Sequence, residues 1–307
     1  MLKKTKMKLS IKLFYFAAFL LSAVSCGKED SARGGNSSDN NRTGNGNGVK
    51  TEFRLEPSVL AVRTPLLDDN GAGSFSTGDR LSLFITGNGS TTSQTYTHGN
   101  THYWEDLELP AGANTLTVTG CYPQITATAF TDFTWNIQEQ TEKDFLVAPA
   151  ITVAKGNEDI IVLPFRHVLH KLSVVLQADG TTIQQEDIAS AEIVIKQIYS
   201  ATSVNLIEGT VGNASGNKIS LSARGDKADF LIPAQPTTGI TLSVKSGTQE
   251  NSFNLSDYTI DGQNITRLED GQSLCINLLA TRDGFALSGI SIGAWESQGS
   301  IDDTILI

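Results

Sequence analysis

Catalysis near neutral pH most often begins with a histidine, and this chain of 307 residues has four. His167 and His170 stand three apart. On a helix that spacing could chelate zinc, but here it falls in an apolar run that reads as strand. Residues three apart on a strand face opposite sides of the sheet, so two packed or hydrogen-bonded histidines are expected. His98 and His102 flank Gly99-Asn100, a hairpin-like turn, and no cysteine or third histidine accompanies them. They read as turn residues. Trp104-Glu105-Asp106 mixes an aromatic with acids, as a sugar site does. Trp104 also sits at a strand end, where an aromatic commonly plugs a sandwich, so packing is the preferred reading. Asn45-Gly46-Asn47-Gly48 lacks the Lys-Ser/Thr and the helix of a phosphate loop. No H-E-x-x-H or Asp-rich calcium loop occurs in the sequence. No catalytic residue, metal or cofactor is assigned, and the chain is read as a non-enzyme.

The three cysteines fall in different settings. Cys121 and Cys275 each lie inside a strand-like apolar run and are read as two small buried hydrophobes rather than a disulfide. Cys26 follows a basic stretch (Lys3, Lys4, Lys6, Lys8, Lys12), the apolar run from Leu13 to Leu21, and then small residues. That run is too short to span a bilayer, which takes ~20 residues. It reads as an export signal over residues 1–25. Leu21-Ser22-Ala23-Val24-Ser25-Cys26 resembles a lipobox, loosely, because Ala23 stands where Leu is usual. Cys26 is therefore the expected lipidation site, which makes outer-membrane lipid a partner. Gly27-Lys28-Glu29-Asp30 looks like the surface-export signal of some Gram-negative lipoproteins.

The formal charge of −10 hides a split. Removing the five N-terminal lysines from 23 basic residues leaves 18 against 33 acids, a balance of −15. A chain that acidic lacks the basic footprint of a nucleic-acid binder. Its attachment to a membrane must be covalent or hydrophobic.

The elements that would position these residues are strands. Residues 26–48 are Gly, Asn, Ser and Asp with almost nothing apolar, and read as a flexible tether. From Val49 the pattern alternates: Val49, Thr51, Phe53, Leu55, Pro57 and Val59 on one side, Lys50, Glu52, Arg54 and Glu56 on the other. That is a half-buried strand. Further strands are expected near Arg80–Thr86, Thr115–Tyr122, Phe145–Ala148, Ile160–Leu163, Phe165–Leu176, Ala191–Tyr199, Lys218–Leu221, Ala228–Ile232, Ile240–Val244, Ser273–Leu279 and Phe285–Trp295. One short acidic helical turn is expected at Thr182–Ile188. Strand signals at this density argue for an all-β chain of two sandwiches, 49–163 and 164–307.

Several stretches in order resemble the fimbrillin family, the lipoprotein subunits of type V pili. After the lipobox and tether comes Ala61-Val62-Arg63-Thr64, with an Arg just past the first strand. Phe75-Ser76-Thr77-Gly78-Asp79 leads an apolar strand, Tyr103-Trp104 supplies an aromatic pair, and Cys121-Tyr122-Pro123 stands for a tyrosine-rich Y-P. Leu163-Pro164-Phe165-Arg166-His167-Val168-Leu169-His170-Lys171-Leu172 is the strongest match. Trp295 completes the series. Cys121 departs from the usual aromatic.

The resemblance implies two transthyretin-like β-sandwich domains and a surface-exposed, outer-membrane precursor that becomes part of a fimbrium. It implies cleavage at Arg63, leaving Thr64 first, and insertion of an extended segment from another subunit into the groove that the lost strand vacates. The tail residues Ile301, Ile305 and Ile307 would form the donor strand, with Asp303 interrupting their face. Partners would be other fimbrial subunits, self or homologous, and an adhesion target. The competing readings are a pilus anchor that keeps its lipid and first strand, and a glycan-binding surface lipoprotein that does not polymerise.

Overall fold

The computed structural model describes residues 50–59, 75–140, 144–260 and 262–294. Fifteen strands of four or more residues carry the fold among them: β1 (Leu55–Val59), β2 (Arg80–Gly87), β3 (Ser90–Thr97), β4 (Thr115–Tyr122), β5 (Phe133–Asn136), β6 (Leu146–Ala154), β7 (Ile161–His167), β8 (Leu169–Ala178), β9 (Glu192–Asn205), β10 (Thr210–Arg224), β11 (Lys227–Pro233), β12 (Thr241–Ser246), β13 (Gln249–Asn254), β14 (Gln272–Thr281) and β15 (Gly284–Ala294). The expected helical turn shrinks to α1 (Gln185–Ile188).

The N-terminal strands run in the order β1-β7-β6-β4-β2-β3. The ladder from β6 to β7 is only two residue pairs long, Leu146↔His167 and Val147↔Arg166. The sheet therefore folds over at that corner, and β1 with β7 becomes a second layer over β4 and β2. Leu55, Leu163 and Phe165 face Leu81, Leu83 and Val118 in one core. Gly120 permits the close approach: a Cβ there would come within 3.1 Å of Leu163 and Phe165.

The C-terminal half is a sandwich of two sheets, β11-β8-β14-β15 and β10-β9-β12-β13. Alternation on β8 sends Leu172, Val174 and Leu176 inward against Ile193, Ile195, Leu242 and Val244. Each such side chain contributes ~1.5–3 kcal/mol by leaving water.

A third cluster joins the halves. Phe84, Cys121 and Phe145 meet Trp135, Leu169, Val204 and Leu206, and Trp135 stacks on Phe145 at 4.3 Å. Trp135 belongs to β5, which pairs with β9 across the junction.

The expected strand Phe165–Leu176 is two strands. The chain turns at Val168, whose amide bonds to the Phe145 carbonyl at 2.9 Å. Pro164, the expected boundary, lies inside β7. His167 and His170 consequently stand on different strands, β7 and β8. Three strands escaped the sequence reading: β3, β5 and β13. β3 and β13 are edge strands, mostly polar because solvent takes most of their side chains. The four-residue β5 is too short to show a period.

Candidate functional site

The alternation from Lys50 to Val59 turns Phe53, Leu55, Pro57 and Val59 inward. Phe53, only 2% exposed, is met edge-on by Trp104 at 4.9 Å and by Tyr96 at 6.4 Å. The Trp104 indole N–H donates to the Asn157 carbonyl at 2.8 Å, which fixes the ring. The Tyr96 hydroxyl donates to the Leu55 carbonyl at 3.0 Å, and burial raises the pKa of that phenol. Backbone bonds complete the seat. β1 runs parallel to β7, from Leu55↔Ile161 to Val59↔Phe165. Glu52 and Phe53 bridge Tyr103 and His102. The Ile161 amide donates to the Arg54 carbonyl and the Trp104 amide to the Thr51 carbonyl. Acids mark the mouth of the seat: Glu105 accepts from the Thr51 amide, and Asp106 lies 2.5 Å from the Lys50 ammonium.

This segment is separable in a specific sense. Among the described residues β1 has a ladder partner on one side only. Burial of Phe53, Leu55 and Val59 contributes about 5–9 kcal/mol as an upper estimate. Its departure would uncover Ile161, Leu163, Phe165, Tyr96 and Trp104 as one apolar trough. Trp104 is thus a packing residue of the strand's seat, as expected from its place at a strand end.

The Arg166–Lys171 run forms the joint between the two halves. The Arg166 guanidinium reaches Asp270 at 2.5 Å and the Gly209 carbonyl at 3.2 Å. Gly209 has φ +66°, and a Cβ there would lie 2.0 Å from the Ala148 carbonyl oxygen. His167 is buried, with Nδ1 2.8 Å from Asp144. His170 is also buried. Its Nδ1–H donates to the Glu269 carbonyl at 2.9 Å, while Nε2 has no partner. Burial accordingly lowers its pKa to about 4. Lys171 is buried 3.7 Å from Asp229. The two histidines are packed and hydrogen-bonded, each on its own partner.

Both Cys121 and Cys275 are free thiols. Cys121 is fully buried and its pKa is raised by desolvation. Cys275 departs from the expectation of burial: it is half-buried on the outer face of the β8–β14 ladder, opposite Ser173. Among the described residues no group of three His, Cys, Asp or Glu is placed to hold a metal. No helix among them is long and apolar enough to cross a membrane, which says nothing of strands.

Cys26, Arg63, Thr64, Ile301, Ile305 and Ile307 all lie outside the described residues, as does Trp295. The structure brings together instead a set that sequence reasoning did not assemble: Phe53, Tyr96 and Trp104 around one strand. Tyr96 is the lone aromatic in the polar run Ser90–Thr97, and that was its only signal.

Residues 68–295 match the family model described as Fimbrillin-like. The chain belongs to the fimbrillin-like family, and its all-β sandwich architecture agrees. A relative in Bacteroides uniformis, provisionally assigned as fimbrium subunit Fim1C, is 28% identical over 54% of this chain. The match spans 61% of that relative, less than its whole length. Among solved structures, a candidate cell adhesion protein of Bacteroides uniformis superposes with a TM-score of 0.64. The two share 17% identity over 80% of this chain and 99% of that one. A candidate cell adhesion protein of Bacteroides ovatus gives 0.56, at 14% identity over 81% of this chain and 99% of the other. At such identities these two likenesses establish the fold alone.

Proposed function

We propose that this protein is a structural subunit, stalk or tip, of a surface fimbria that supports adhesion. Its precursor reaches the outer membrane as a lipoprotein through Cys26. Cleavage after Arg63 then frees the first strand, and an extended segment of another subunit takes its place. The observation that carries this reading is the seat of residues 50–59: an apolar edge strand with a ladder on one side, held by its own aromatic trough. Strand addition needs such a trough, because backbone bonds supply affinity and alternate side chains supply register. In turn the tail, through Ile301, Ile305 and Ile307, serves as donor to a neighbour. Family membership and the fimbrium-subunit relative support the coarser part of the reading.

Intact mass and N-terminal sequencing of protein from purified surface fibres test it. The expected mature chain begins at Thr64 and carries no lipid. A fibre-borne chain that begins before Val49 refutes the maturation step and favours a pilus anchor. Deleting residues 301–307 should leave an exported, folded monomer that stays out of fibres; normal polymerisation of that variant rules out the tail as donor.

A further inference from the structure

The seat of residues 50–59 has a shape, and the shape restricts what can replace the strand. Four inward positions lie in file at 53, 55, 57 and 59, all buried. The first is the most demanding. Trp104 and Tyr96 present their rings to Phe53 at interplanar angles of 84° and 74°, an edge-to-face box that suits a ring. The next three positions take Leu55, Pro57 and Val59, with no polar group among them. The mouth, three residues before the ring, is acidic through Glu105 and Asp106 and now holds Lys50.

This chain's own tail does not fit that mould. Its apolar file is Ile301, Ile305 and Ile307, with Asp303 at the one remaining place. Any register that seats all three isoleucines, in either chain direction, puts the Asp303 carboxylate into the buried file. A buried, unpaired carboxylate opposes binding and offsets what the isoleucines contribute. Registers that avoid Asp303 seat only two of the three isoleucines. Run in the native direction with Ile305 in the ring box, the tail also sets Asp302 against Glu105 and Asp106.

We infer that the seat is an aromatic-specific socket, and that its natural occupant is an extended segment from a different subunit rather than the tail of a second copy of this chain. That segment carries Phe, Tyr or Trp at the position of Phe53, three uninterrupted apolar residues at every second place after it, and no acid at the position of Lys50. The inference rests on the strand-exchange reading above. It makes this protein a subunit that joins a fibre heterotypically.

Peptide exchange into the full chain separates the two levels. A site for a sequence-specific protease is inserted after Arg63, the purified chain is cut, and a fluorescent synthetic peptide of residues 49–62 is added. Exchange is followed by anisotropy. The expected result is that the labelled peptide enters, that its Phe53→Ala version binds on the order of 10²–10³-fold more weakly, and that a peptide of residues 299–307 does not compete. The tail peptide carrying Asp303→Leu should gain affinity. Equal binding of the Phe53→Ala peptide overturns the aromatic socket and leaves strand exchange standing. Competition by the unmodified tail peptide at the level of the 49–62 peptide overturns the heterotypic assignment. If no peptide enters and the cut segment never leaves, strand exchange itself is wrong and the inference falls with it.

Discussion

Acid should weaken this fold through His170, and the size of the effect follows from its surroundings. The ring is 1% exposed, its Nδ1–H is spent on the Glu269 carbonyl, and Nε2 faces the protein without a partner. Protonation would put a charged N–H where nothing accepts it. The folded-state pKa is therefore lowered from 6.5 to about 4. In the unfolded chain the ring takes a proton near pH 6.5. Between these values the unfolded state binds more protons than the folded one, so stability rises with pH across that window and is lost on acidification. One pKa unit corresponds to about 1.4 kcal/mol. From pH 7.5 to pH 5 the linkage amounts to about 2 kcal/mol, and the whole window to about 3 kcal/mol. Urea unfolding of the wild type and of His170→Gln at both pH values isolates this contribution, because surface carboxylates titrate equally in both. Glutamine retains a donor for the Glu269 carbonyl. The variant should lose about 2 kcal/mol less than the wild type over that interval. Parallel pH profiles would show that His170 titrates normally and refute the reasoning.

Three further outcomes are expected. In a double-mutant cycle, Arg166→Met and Asp270→Asn should couple by about 1 kcal/mol, modest because both side chains are about one-third exposed; chemical denaturation measures it, and zero coupling would remove the pair from the joint. Gly209→Ala should cost about 2–4 kcal/mol, from its left-handed backbone and the Ala148 carbonyl it would strike, seen as a lowered melting temperature; an unchanged value would mean the hairpin turn relaxes freely. Cys26→Ala should abolish incorporation of a metabolic lipid label into the precursor, and persistent labelling would place the lipid elsewhere.

The Arg166–Lys171 run keeps its two histidines on different partners, Asp144 for His167 and the Glu269 carbonyl for His170. Its residues turn the chain from one sandwich into the next, and each polar group has its own partner: Asp270 and Gly209 for Arg166, Asp144 for His167, Glu269 for His170, Asp229 for Lys171.

What could be read from residues alone was what depends on neighbours in the chain. The two-residue period from Val49 to Val59 requires one wet and one dry face whatever lies opposite, so an inward Phe53 and an outward Arg54 were legible. The same holds for the apolar cores of β2, β4, β8, β11 and β14, and for the fimbrillin-like order of motifs. Pairing was not legible, because it is settled by residues far apart in sequence. Nothing near Leu55 announces a parallel partner more than a hundred positions later at Ile161. The break at Val168 hides within a run of buried residues, since the strands on both sides of it are buried and only the sheet to which each belongs differs. Tyr96 sits in a polar strand that hydropathy reads as loop, and it becomes part of the seat only because folding brings it over the Leu55 carbonyl. Local chemistry specified which side chains leave water; the tertiary structure decided which of them meet, because burial is non-directional and only packing selects the partner.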